Sequence, residues 1–313
     1  MNIALNVLQG PARSLVGDTV PTHQQIVGNT IATIMNGLGA IIVNLVGGLD
    51  LSKYTKFTNE QLVFIIGMVS VTFAVGVTLF CAQEEKYNGP KSDKSMIVEI
   101  YRSFRHAPTE VLRAAACFSL AWCGFFMFLV ETTDYFGRSI FHGCPTETSE
   151  CSYIDYTKGV NFGMLTIAST YTVSLLYGFI QPKIVDLIGA KICFLISQFI
   201  EVICLIVFNF IKMKWILFSL FSLLGISFMS FNSIPFAIVA MCVPEKDMGK
   251  NMAVVNSCGC IGQQVANVLI GSGVAEVWPN YYNLQIATGA VFAFLSGILA
   301  VRLIVPETKQ NDT

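Results

Sequence analysis

The sequence predicts an all-α protein built into a lipid bilayer, a helical bundle of about nine transmembrane crossings. Hydrophobic residues make up 54% of its 313 positions and charged residues only 12%, too little charge to cover a water-soluble globule. Apolar stretches of the length a crossing needs, about 20 residues, recur along the whole chain. The charged residues gather mostly between those stretches.

Taken in order, the apolar windows fall at 24–48, 61–82, 111–133, 159–180, 190–211, 214–243, 251–275 and 282–304, with residues 1–20 as a partial ninth. Soluble helical proteins seldom carry such runs beyond about 14 residues without a charge. The longest polar stretch, Gln83 to Glu110, holds Lys86, Lys91, Lys94, Arg102 and Arg105. Basic residues concentrate in cytoplasmic loops, so this stretch is assigned to the cytoplasm. The same face then collects Lys183, Lys191, Lys246, Lys250, Arg302 and Lys309, while Lys53, Lys56, Arg138, Lys158, Lys212 and Lys214 fall opposite.

The formal net charge is −1, with the basic residues spread between spans, so no nucleic-acid partner is expected. The N-terminus has no basic run and small-residue cleavage site of the signal-peptide kind. Of ten cysteines, Cys81, Cys117, Cys123, Cys193, Cys204, Cys258 and Cys260 lie inside apolar spans, where a buried thiol is the ordinary state. Cys144 and Cys151 share a polar loop on the non-cytoplasmic side, where a disulfide can close a short loop. His23, His106 and His142 are far apart, which suggests neither a metal site nor a histidine-based triad. No P-loop, G-x-S-x-G, H-E-x-x-H or complete G-x-G-x-x-G occurs. An enzyme is not expected, nor a cofactor.

Polar groups inside a bilayer are expensive and therefore candidates for function. Arg13 comes first, in the run Gln9-Gly10-Pro11-Ala12-Arg13, followed by Asp18, Pro21, Gln25 and Asn29. It either grips a polar ligand or a carboxylate from a cavity, or snorkels to the interface and pairs with Asp18. In the next span Gly28, Ala32, Asn36, Ala40, Asn44 and Gly48 recur every fourth residue, a stripe that suits close packing or a wet path. Glu131, Asp134 and Arg138 close the span after the long loop. Asp134 and Arg138 can meet one turn apart, and two carboxylates beside one arginine are the makings of a proton-coupled site. The alternative is an ordinary polar helix end at the outer interface. Glu201 stands mid-span, to be protonated, paired or part of an ion path. Asn256, Cys260, Gln264, Asn267 and Gly271, with Gln263 beside them, make a further stripe expected to look inward, toward a cavity or a partner helix.

The run from Gln9 through Arg13 to Asp18, continued by Pro21, Gln25, Gly28-Asn29, Gly37-Leu38-Gly39 and Gly48-Leu49-Asp50, resembles the fourth helix and adjoining loop of sucrose carriers. Thr133-Asp134-Tyr135-Phe136-Gly137-Arg138 is similar to the end of their seventh helix. Pro235-Phe236-Ala237 with Val243-Pro244-Glu245 is similar to their loop between helices ten and eleven. These carriers are glycoside–pentoside–hexuronide:cation symporters of the major facilitator superfamily, a branch with plant and fungal sucrose or maltose carriers and the animal solute-carrier family 45.

The resemblance implies a bundle of two six-helix halves whose central loop comes after the sixth helix. Residues 1–82 are then helices four to six, 83–110 the cytoplasmic central loop, 111–304 the C-terminal six-helix half and 305–313 a cytoplasmic tail. About nine of twelve helices are present, and the chain is expected to be truncated at its N-terminus. The resemblance further implies symport of sucrose, maltose or a related sugar with a proton, in the plasma membrane or in a vacuolar or vesicular one. It gives Arg13 the role of the essential fourth-helix arginine, and Asp134 and Arg138 that of the seventh-helix charges. The family's proton-binding aspartate, eleven residues before that arginine, is replaced here by Asn2. Proton coupling then passes to Glu131 or Asp134, or gives way to facilitated diffusion. The other expectation is a membrane sensor, scaffold or inactive truncated derivative of the carrier fold.

Overall fold

A computed structural model describes residues 12–17, 19–81, 102–146, 151–244, 247–278 and 281–305. Asn2, Asp18 and most of the central loop lie outside them, as does the C-terminal tail. Among the described residues eight helical stretches are long and apolar enough to cross a membrane. They fall on the eight whole crossings read from the sequence. The helices are α1 (Gln25–Leu49), α2 (Asn59–Cys81), α3 (Thr109–Tyr135), α4 (Tyr153–Ile188), α5 (Ala190–Val207), α6 (Lys214–Ser222), α7 (Leu224–Cys242), α8 (Met248–Val265), the short α9 (Gly273–Val277) and α10 (Tyr282–Ala300). Residues 12–17 are helical as well.

Two crossings end in a widened helical turn. Phe136–Ile140 prolongs α3 and Ala266–Ser272 prolongs α8, both as π-helix. Only Leu223 separates α6 from α7, so the two form one crossing. Local chemistry sets the ends. Thr109 opens α3 directly after Pro108, which lacks the N–H a preceding turn would need. The Ser152 hydroxyl accepts from the Asp155 amide and caps α4. Gly189 alone reverses the chain between α4 and α5, at φ +85°, a backbone that glycine adopts without strain.

The bundle is assembled around α7, which packs on α1, α3, α4 and α5. Every residue from Leu224 to Ala240 is buried except Ile226. Its aromatic face meets that of α3, with Phe125 at 5.2 Å from Phe228 and 5.4 Å from Phe231, ring centre to ring centre. Trp122 meets Phe231 edge to face at 5.4 Å. Such offset contacts suit the ring quadrupoles. Glycine allows the closest approaches. A Cβ on Gly225 would lie 2.1 Å from the Thr170 carbonyl of α4, and one on Gly124 of α3 would lie 2.8 Å from the Gly289 carbonyl of α10. α2, by contrast, packs on α1 and contains no buried residue.

Candidate functional site

Arg13 is where the first described helical turn meets the centre of the bundle. Its Nη1 donates to the Asn232 carbonyl at 2.9 Å and its Nη2 lies 3.5 Å from Asn232 Oδ1. The guanidinium is stacked 4.2 Å over the Phe236 ring. All three contacts surround Pro235, inside α7. A proline within a helix supplies no N–H and crowds the carbonyls of the turn before it. Arg13 donates into that disturbed turn. Phe236 in turn meets Phe118 at 4.9 Å, and Phe118 meets the half-buried Trp122 at 6.3 Å. Donors and aromatic faces therefore stand side by side. The contacts described for Arg13 run to Asn232 and Phe236 of α7. The Asp18 pairing lies outside the described residues.

The segment before α1 is pinned from both sides. A Cβ on Gly17 would come within 2.8 Å of Met248 at the start of α8. Gln25 Nε2 donates to the carbonyls of Gly17 and Val20, at 3.1 Å and 2.6 Å. Farther along α1, Thr30 donates to Gln181 Oε1 of α4 at 3.3 Å, and Ser233 of α7 donates to the same oxygen at 3.0 Å. Gln181 Nε2 reaches Ser230 Oγ at 3.4 Å. One buried amide thus joins three helices beside Pro182.

The stripe of α1 buried against the bundle includes Gln25, Asn29, Thr33 and Gly37, one residue around from the stripe read in the sequence. Asn36 is exposed, and Asn44 is half-buried and donates to the carbonyl of Ala40 on its own helix at 2.9 Å. Both stripes repeat every fourth residue, so spacing alone does not choose between them. On α8, Asn256 is buried, Gln263 half-buried and Gln264 exposed, and Asn267 in the π stretch is exposed. The packed face of that crossing is instead glycine-rich: Gly259 lies against Phe118, and Gly262 against the Ser119 carbonyl.

At the far end of α3 the Asp134–Arg138 ion pair forms, at 2.7 Å. Tyr156 of α4 donates to Asp134 at 2.8 Å, and Arg138 lies 5.0 Å over the Tyr282 ring of α10. Glu131 turns to α10 instead. With its amide oriented to donate, Gln285 Nε2 is 2.8 Å from Glu131 Oε2 and 3.2 Å from Oε1. The two carboxylates sit in unlike surroundings, one beside a cation and one against a neutral amide. A disulfide joins Cys144 to Cys151 in the adjoining loop, with Cα atoms 5.6 Å apart.

Asn232 and Gln181 do not stand out in the sequence, and Phe236 enters it within the Pro235-Phe236-Ala237 run read there as loop-like, whereas the structure places that run inside α7. Pro182 and Pro235, each placed inside an apolar run, are the available signal, because helix-breaking residues in a membrane are tolerated where neighbours restore the lost bonds. Among the described residues no three His, Cys, Asp or Glu side chains gather closely enough to hold a metal ion. The arrangement offers hydrogen-bond donors, aromatic faces and carboxylates, a set suited to a neutral polyhydroxyl ligand and to protons.

The profile of the Major Facilitator Superfamily matches residues 151–313, just over half of the chain. Among curated proteins, the chain is 22% identical to sucrose transport protein SUT5 of Oryza sativa subsp. indica, over 99% of its own length and 65% of that protein. It is 25% identical to sucrose transport protein SUC4 of Arabidopsis thaliana, over 81% of its own length and 52% of the relative. With sucrose transport protein SUT1 of Oryza sativa subsp. japonica the identity is 23%, over 99% and 66%. The chain thus spans between about half and two thirds of the length of these relatives.

Proposed function

Because the chain belongs to the Major Facilitator Superfamily, and is thus a multi-pass membrane protein, we propose that it carries a sugar of the sucrose or maltose kind across the plasma membrane together with a proton. The names of its relatives support the substrate class. The observation that carries the reading is Arg13. Its guanidinium faces Asn232 and Phe236 within the bundle, with Trp122 farther along the same aromatic run. A guanidinium offers five fixed donors to sugar hydroxyls, and an aromatic face packs on the apolar side of a pyranose ring.

Alternating access gives the Arg13 contact a second role. The 12–17 turn comes from the N-terminal side of the central loop, and α7 and α8 from the C-terminal side. Where they touch, the two sides close on one another. With the loop charges oriented as the positive-inside rule directs, the Arg13 contact lies toward the cytoplasmic end, and the two sides meet again toward the other end, where Gly48 of α1 packs on Leu165 and the Asn161 carbonyl of α4. Glu131 and Asp134, in unlike surroundings toward the other end, serve as proton acceptors from the outside medium.

The test is uptake of labelled sucrose and maltose into transport-deficient cells expressing the chain. Uptake should exceed that of control cells, quicken as the outside is acidified, and lose that dependence when the pH gradient is collapsed. Arg13→Ala should abolish it with the protein still present in the membrane. Unchanged uptake in R13A would overturn the role of that residue, and no uptake above control would overturn the reading itself.

A further inference from the structure

We propose that Glu201, with Gln198 and Ser227, forms an exchangeable proton-binding site inside the C-terminal bundle. Its link to sugar movement rests on the carrier reading above; proton binding itself does not. Glu201 lies within α5 and is 0% exposed. Its Oε2 accepts from the Ser227 hydroxyl of α7 and from Gln198 Nε2 at 3.3 Å. Gln198 Nε2 also donates to Ser227 Oγ, at 2.9 Å. An amide has two N–H groups and a serine one O–H, so every donor of the cluster is engaged. Glu201 Oε1 and Gln198 Oε1 are left, both buried and both without a hydrogen-bond partner.

A proton on Glu201 Oε1 turns one of these orphan acceptors into a donor. The surrounding charges point the same way. The titratable groups on the neighbouring stretches are thiols: Cys123 on 121–128 of α3 and Cys204 on 198–205 of α5, while Cys193 and Lys191 lie two turns or more before Glu201 on that helix. Residues 224–231 of α7 and 286–296 of α10 contribute none. No cation in these stretches balances a carboxylate, and an unbalanced one in a bundle interior is costly. A metal cation would draw on more oxygens than the two that are free, because the helix carbonyls are already engaged along their own helices.

The seal over Oε1 is thin. It lies at the crossing where the backbones of Gly124 and Gly289 touch, and a Cβ on Gly124 would stand 3.1 Å from it. Backbone alone separates α3 from α10 at this point. A small parting of the two helices admits water to Oε1. The O–H bond then breaks with its electron pair left on the carboxylate, and the proton passes to that water. On the other side, an open groove of about 100 Å³ bounded by Gln198, Ala293 and Gly297 is walled almost wholly by apolar atoms, which offer the proton no acceptor.

The experiment uses the full chain purified into lipid vesicles. Infrared difference spectra recorded as the pH is stepped should contain a carboxylic C=O band that vanishes as the medium becomes alkaline. The band should be missing in Glu201→Gln and restored, displaced, in Glu201→Asp. A band insensitive to pH, or one retained in E201Q, overturns the site. In the same vesicles E201Q should exchange labelled sucrose across equal concentrations as the wild type does, yet accumulate it no better than wild type with the gradient collapsed. Normal accumulation by E201Q overturns the coupling role. If the wild type moves no sugar, the carrier reading fails while the infrared result still decides proton binding.

Discussion

The helices α2 and α7 invert the rule that apolar residues mark a protein's interior. α2 is rich in Val, Phe, Ile and Leu, and none of its residues is buried; Phe73 and Phe80 are 73% and 92% exposed. α7 carries Ser227, Ser230, Asn232, Ser233 and Pro235 and is buried nearly from end to end. In water the apolar helix would be the central one. In a bilayer the lipid is as apolar as leucine, so hydrophobicity gives no reason to go inside, whereas small and polar side chains gain close packing and hydrogen bonds there. Within this bundle α7 therefore buries its small and polar side chains together with large aromatic ones, while the apolar surface of α2 is left open.

That contrast can be broken at several points. The largest effect is expected at Gly225→Val, because its new Cβ would meet backbone, 2.1 Å from the Thr170 carbonyl and 2.6 Å from the Ser174 nitrogen. Backbone cannot step aside as a side chain does, and the loss should reach about 3 kcal/mol or more. It would be read as disappearance of the monodisperse peak after detergent extraction. A normal peak would mean that α7 is not clamped against α4. Next comes Phe73→Asp on the open face of α2, at about 3 kcal/mol against insertion. A glycosylation-reporter assay measures the inserted fraction, and undiminished insertion would mean that this face meets water, not lipid. Gln181→Leu should cost less, about 1 kcal/mol, since interhelical hydrogen bonds in membranes are individually modest. Thermal melting in detergent checks it; a variant as stable as the wild type would reduce the three-helix junction to packing.

The eight crossings were legible because a run of about 20 apolar residues has few other uses. Arg13 and the Asp134–Arg138 pair were legible because a charge in such a run, or a pair spaced by one helical turn, stands out. What stayed hidden was mutual orientation. The Gln25, Asn29, Thr33 face of α1 is masked in the sequence by the neighbouring Asn36, Asn44 face, since both repeat at the same interval. Ser227 and Gln198 are ordinary residues in the sequence, and only folding brings them to Glu201. Gln181 acquires its role from Thr30, 151 positions earlier in the chain.

The Arg13 contact also says something about timing. Two of its five donors are directed at Asn232, a wall of the bundle. On the carrier reading proposed above, a ligand that took over those donors would bind and unlatch in one act, because each hydrogen bond gained by the visitor is one removed from the latch. Such a latch resists thermal opening yet yields to the molecule for which it is kept. Weakening it at Asn232 would then leak before it ceased to bind.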